Sequence, residues 1–239
     1  VYKPATTKAG ATMNRDECYI EEWWNFATSF ALCVPARVAL VNDLGQSAVV
    51  VSVTAIASAL RHVPREYLGA HGLDVFRGFD FTMIGILLVV VYLDVSGKPQ
   101  PLDSGAGWAA VLVYAALTNA LFFAANVDFP WNIAVYYYVL PVGCIVCLRL
   151  CGTGDGKVVA PQFSEARMWL LGLLVVAAVL VRMTEQPGLV DKIGFDDGGT
   201  TCILDHGIWH VLAAAVLCVV LMVEPGDGDG GARTGRFRL

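Results

Sequence analysis

Charge is scarce in this chain. Asp, Glu, Lys and Arg make up only 15% of its 239 residues, while hydrophobic residues reach 56%. Soluble domains carry about a quarter charged residues, so most of this chain avoids water, in keeping with a mean hydropathy of +0.61. A long basic run is also missing. The net charge of −5 comes from 16 Lys and Arg set against 21 Asp and Glu, and nothing in it tracks phosphates or clamps an anionic surface. Nucleic acid is therefore excluded as a partner class. A secreted disulfide pattern is lacking too. Of the seven cysteines, Cys33, Cys144, Cys147 and Cys218 lie inside apolar runs, where Cys serves as a small packing residue.

What is there in quantity is apolar helix. A hydrocarbon core of about 30 Å takes roughly 20 apolar residues as a helix, and the pattern predicts seven spans, at 23–41, 47–62, 74–94, 107–125, 131–150, 167–183 and 203–223. The second and sixth are short. Turn and loop signals bound them at Asn42-Asp43, Gly97-Lys98-Pro99, Asp128-Phe129-Pro130 and Gly152-Thr153-Gly154. The expected fold is all-α: a polytopic membrane protein built as one seven-helix transmembrane bundle over 23–224. A polar N-terminal segment, 1–22, precedes it, and a tail at 225–239, rich in Gly and Asp, is expected to be flexible. Because the chain starts at Val1, a leader or larger N-terminal part could precede it.

Seven spans put the N-terminus and the loops after the second, fourth and sixth spans on one side, termed side A. The 16 Lys and Arg then divide eight to eight, so the positive-inside rule does not orient the protein. The expected location is a plasma membrane or endomembrane, multi-pass, with membrane lipids and other proteins within the membrane as partners.

Ionisable groups inside a bilayer are costly and mark function by default. His62, Asp80, His206 and His210 are such groups, and their placement is ordered. Ser58 and His62, four residues apart, share a helix face near side A at the end of the second span. Asp80 lies about two turns into the third span. His206 and His210, again four apart, project from the first turns of the seventh. Three neutral imidazoles suit tetrahedral Zn2+ with one position left open. A lone His at a helix end is more often an interfacial or hydrogen-bonded residue, so the combination carries the argument.

That combination, S-x3-H, then Asp, then H-x3-H, resembles the CREST superfamily of membrane hydrolases. Within it the chain looks most like the transmembrane protein 8 and myomaker group, which includes post-GPI-attachment phospholipases, through residues 73–81 (LDVFRGFDF) and 206–212 (HGIWHVL). The resemblance implies His62, His206 and His210 as zinc ligands, with Asp80 and Ser58 catalytic around a water. Arg61 departs from the family, which often has an aromatic residue before the histidine. Asp74, six residues before Asp80, is on a different helix face and reads as interfacial.

The implied activity is zinc-dependent hydrolysis of an ester or amide in a ceramide-, phospholipid- or GPI-lipid-like substrate. Asp80 would accept a proton or hold the water, and Ser58 would hydrogen-bond the water or the developing oxyanion. The alternative is a non-catalytic membrane protein, such as a fusion factor, receptor or structural subunit, that keeps the metal site. Remaining features have bland readings beside sharper ones. Cys18 and Cys202 both fall on side A and are either a disulfide or two unrelated thiols. Cys144, Cys147 and Cys151 read as helix packing before metal or lipid attachment. Arg37 and Arg182 snorkel near span ends, Arg182 with Glu185 within pairing distance. Phe129, Trp131 and Tyr136 to Tyr138 fit an aromatic belt.

Overall fold

The computed structural model describes residues 19–63, 65–96, 105–124, 143, 163–184, 194–197, 200–203 and 205–222. Their elements in chain order are α1 (Tyr19–Ser29), a 3-10 turn (Phe30–Leu32), α2 (Cys33–Val41), α3 (Gly45–Arg61), α4 (Arg65–Val95), α5 (Gly105–Ala124), α6 (Glu165–Thr184), a hairpin of β1 (Gly194–Asp197) and β2 (Thr200–Ile203), and α7 (Asp205–Leu221). Helices thus stand at six of the seven expected spans. The span expected at 131–150, with its cysteines and tyrosines, lies outside the described residues except for Gly143. So do Phe129, Glu185, residues 1–18 with Cys18, and the tail.

Among the described residues, two stretches, Glu22–Val41 and Val75–Val95, are long and apolar enough to cross a membrane. Three differences from the expected fold stand out. β1 pairs antiparallel with β2, with Phe195 opposite Cys202, adding one short hairpin to described residues that are otherwise helical, as the all-α expectation has it. α4 also starts nine residues before the expected 74. Cys33, expected as a packing residue, is exposed.

Local sequence explains the breaks in the first segment. Pro35 has no N–H for the Ala31 carbonyl, and its ring crowds that carbonyl. The chain accordingly tightens into the 3-10 turn at Phe30–Leu32 before α2 continues. α2 ends with Asp43 in the left-handed region at φ 56°. The Asp43 N–H donates to Leu40 O at 3.3 Å and the Leu44 N–H to Ala39 O at 2.9 Å, the paired bonds of a Schellman ending. α3 then begins at once, folding back along α2.

α3 is the central helix, packed against α1, α2 and α4. Its buried side chains are Ser47, Ala48, Val50, Val51, Thr54, Ala55, Ala57, Ser58 and Ala59, none larger than valine. Small side chains let helix backbones approach closely. α4 fills the space from its side with Phe81, Met83, Ile86, Leu87, Val90, Val91 and Leu93. α5 leans on α4, where the Thr82 and Thr118 hydroxyls meet at 3.1 Å and Tyr114 lies against Gly85, at a point where a Cβ would collide with its ring.

Polar side chains close the helix ends within the bundle. Buried Asp94, near the end of α4, accepts from the Ser47 N–H at 3.1 Å and the Ser47 hydroxyl at 2.6 Å. It thereby caps the positive N-terminus of α3 from another helix. α7 packs against α1, α2 and α6, and its last carbonyls are claimed in the same way. Arg167 at the start of α6 donates to Val219 O at 2.7 Å and Val220 O at 2.9 Å, while the Asn42 amide donates to Leu221 O at 3.2 Å.

Outward faces carry the large apolar side chains. Trp169 is 69% exposed, Leu173 68% and Leu112 65%, and Val49, Ile56, Leu117 and Val211 also face outward. The buried set includes Asp80, Asp94, Asp205 and His210. An apolar core thus carries several polar side chains within it, and many large apolar side chains remain on the outside.

The cross-helix cap gives a direct expectation for stability. Asp94→Ala strands the Ser47 donors in the interior and should destabilise the protein by about 1–3 kcal/mol, the usual cost of an unmet buried group. Asp94→Asn, which keeps an acceptor, should cost less. Thermal unfolding in detergent micelles tests the order.

Candidate metal centre

The end of α3 and the start of α7 meet through their histidines. α3 closes at Arg61, and His62 is its capping residue, with its N–H on Ser58 O at 3.2 Å and Ala59 O at 3.0 Å. Ser58 and His62 therefore stay on one face as the chain leaves the helix. His206 and His210 occupy the first turns of α7, one above the other by the helical period. The three rings pack with centroids 4.6 to 5.1 Å apart.

One potential ligand atom from each of His62, His206 and His210 lies within 4.8 Å of the others. His62 and His206 are half-buried and His210 is 3% exposed. The Nε2 atoms of His62 and His206 stand 3.0 Å apart. Two imidazole lone pairs do not face each other at that distance without a proton or a cation between them. An ion with Zn–N bonds of about 2.0–2.1 Å in tetrahedral geometry spaces its nitrogens about 3.3 Å apart. The donor set thus fits a metal ion. Among the described residues no other group of three His, Cys, Asp or Glu converges in this way.

Hydroxyl groups surround His210. Its Nε2 is 3.4 Å from Ser58 Oγ, and its Nδ1 is 3.2 Å from Thr28 Oγ1. Ser29 Oγ reaches Ser58 Oγ at 3.1 Å. Thr28 and Ser29 are adjacent on α1 and buried. Sequence reasoning passed over them, although two consecutive hydroxyl residues in an otherwise apolar span were a visible signal. Helix α1 comes close to α7 because Gly207 leaves room for the Trp24 indole, which a Cβ there would strike. Ser58 lies beside His210.

Asp80, expected beside a water and not as a ligand, is held in an ion pair. Its Oδ2 accepts from Arg61 Nη1 at 2.7 Å, and it is not one of the converging ligands. Because α4 begins at Arg65, Asp80 lies well inside that helix, opposite the last residue of α3. Both partners are largely buried, with side chains 14% and 3% exposed. The Arg61 guanidinium also lies over the Phe81 ring, 4.9 Å from its centroid, with Arg77 on the same ring at 5.8 Å. Arg61, immediately before His62, thus ties Asp80 of α4 to the end of α3. Nothing is described of the Asp74 side chain.

No family model matches this chain, and neither curated proteins nor solved structures provide a match. The functional reading accordingly rests on the residues themselves.

The buried ion pair predicts non-additive stability. Asp80→Ala leaves a guanidinium uncompensated and should cost about 3–5 kcal/mol. The double change Arg61→Leu with Asp80→Leu should recover much of that loss, because the penalty lies in the unpaired charge. Unfolding of the single and double variants in detergent gives the comparison, and equal losses in both would refute it.

Proposed function

We propose that the chain is a seven-helix, multi-pass membrane protein of the CREST type that binds zinc and hydrolyses an ester or amide bond in a membrane lipid. The observation that carries this reading is the convergence of His62, His206 and His210 from two helix ends, with Ser58 beside them. The outward-facing apolar side chains and the buried carboxylates support immersion in lipid. With that immersion, a lipid becomes the substrate within reach.

In this reading His62, His206 and His210 hold the ion through imidazole nitrogens. Zinc bound there would supply Lewis acidity, polarising a carbonyl and easing deprotonation of water. Ser58 offers its hydroxyl to the attacking water or to the developing oxyanion. Asp80 holds Arg61, and with it the end of α3, and is the carboxylate assigned to take or orient a proton. Ceramide-, phospholipid- and GPI-lipid-like substrates all contain a bond of the required kind.

A second reading has its own support. The histidines join helices 144 residues apart in sequence, so a metal there would also fasten the bundle without any chemistry.

Metal content by mass spectrometry of the purified protein tests the first step. We expect about one zinc per wild-type chain, as a three-ligand site implies, and its loss in His206→Ala and His210→Ala; folded wild type without metal would overturn the proposal. Hydrolysis of ceramide and of phospholipid in mixed micelles separates the two readings. Asp80→Asn should keep the metal but lower turnover by about 100-fold or more, the usual reach of a general base. Metal-loaded wild type that cleaves neither lipid class would favour the structural role.

A further inference from the structure

We propose that Thr28 and Ser29 of α1 are positioning residues of the metal centre, Thr28 by fixing which nitrogen of His210 is free to bind and Ser29 by fixing where the Ser58 hydroxyl points. The inference rests on the reading of His62, His206 and His210 as metal ligands.

Proton counting carries it. The Thr28 hydroxyl has one proton and donates it to Trp24 O at 2.8 Å, with Asn25 O a longer second acceptor at 3.2 Å. Towards His210 Nδ1, at 3.2 Å, Thr28 Oγ1 is therefore the acceptor. Nδ1 then carries the hydrogen, and Nε2 keeps its lone pair. Nε2 belongs to the side of the ring where Ser58 lies. Metal-binding histidines commonly donate their other N–H to a fixed acceptor, which sets both tautomer and ring orientation. Thr28 fills that role from a different helix, 182 residues away in sequence.

Ser29 continues the chain of donors. Its hydroxyl donates to Asn25 O at 2.8 Å, so towards Ser58 Oγ at 3.1 Å it is an acceptor. Ser58 has one proton and two takers, Ser29 Oγ and His210 Nε2. Once Nε2 has given its lone pair to an ion, the Ser58 proton turns to Ser29. The remaining Ser58 lone pair then faces the centre as an acceptor for the hydrogen of a water. Ser29 is fully buried, and Thr28 and Ser58 are nearly so, which keeps solvent from competing for these bonds.

The test is zinc affinity of the full chain in detergent, measured by competition with a chromophoric chelator and accompanied by the visible spectrum of the Co2+-loaded protein. Thr28→Val keeps the shape but removes the acceptor, and should weaken zinc binding about 10- to 100-fold, the range for partners of ligating histidines. It should also shift the Co2+ bands. Thr28→Ser should restore both, whereas Thr54→Val, which removes a buried hydroxyl bonded within its own turn of α3, should retain wild-type affinity. If Thr28→Val does not fold, Thr28→Ala supplies the same comparison. Unchanged affinity and Co2+ spectrum in the Thr28 variant overturn the inference alone. Equal weakening in Thr54→Val would also overturn it, since the effect would then be general to buried hydroxyls of the helices. A wild type that takes up no zinc overturns the metal-centre reading and this inference with it.

Discussion

The small size of the α3 side chains is the constraint on which the rest of the structure depends. Because nothing larger than valine is buried on it, α3 can sit against α1, α2 and α4 at once. That closeness brings Ser58 to Ser29 of α1 and carries His62 to the start of α7. A leucine or phenylalanine on the inner face would force neighbouring helices apart, and cores do not absorb such additions without displacement. The hydroxyl and imidazole contacts, each effective only within about 3.5 Å, would be lost first.

The same crowding explains how carboxylates are accommodated inside. Asp94 is spent on the N-terminus of α3, and Asp80 on Arg61. Each carboxylate joins two helices and meets a partial or full positive charge. At the far end, Arg167 and Asn42 take the carbonyls that end α7. α7 is thus fixed at the end remote from its histidines, so the position of His206 and His210 is set from both ends of the helix.

Much of this was legible in the residues. Apolar runs located six helices, because length and hydropathy are properties of a single segment. Ser58 with His62, and His206 with His210, were legible because four-residue spacing fixes a shared face. What crossed between segments was harder. The Arg61–Asp80 pair spans 19 positions and follows from α4 starting at Arg65, where the apolar pattern had not yet begun. Thr28 and Ser29 were hidden by their own chemistry: mid-helix hydroxyls usually bond back to their own turn, as both do here, and their second contacts depend on α3 and α7. The hairpin before α7 was missed since only eight residues pair, within a stretch read as loop.

The sequence distance across the histidine cluster has a consequence for biogenesis. His62 leaves the ribosome 144 residues ahead of His206, and α7 follows the other described helices in the chain. The earlier helices therefore emerge with two of the three histidines still missing. Loop closure over so long a stretch comes late in assembly. A nascent chain halted before Asp205 would therefore hold the α3–α4 pairing and only one of the three histidines, so the cluster is a seal closed on helices already in place rather than a nucleus for them.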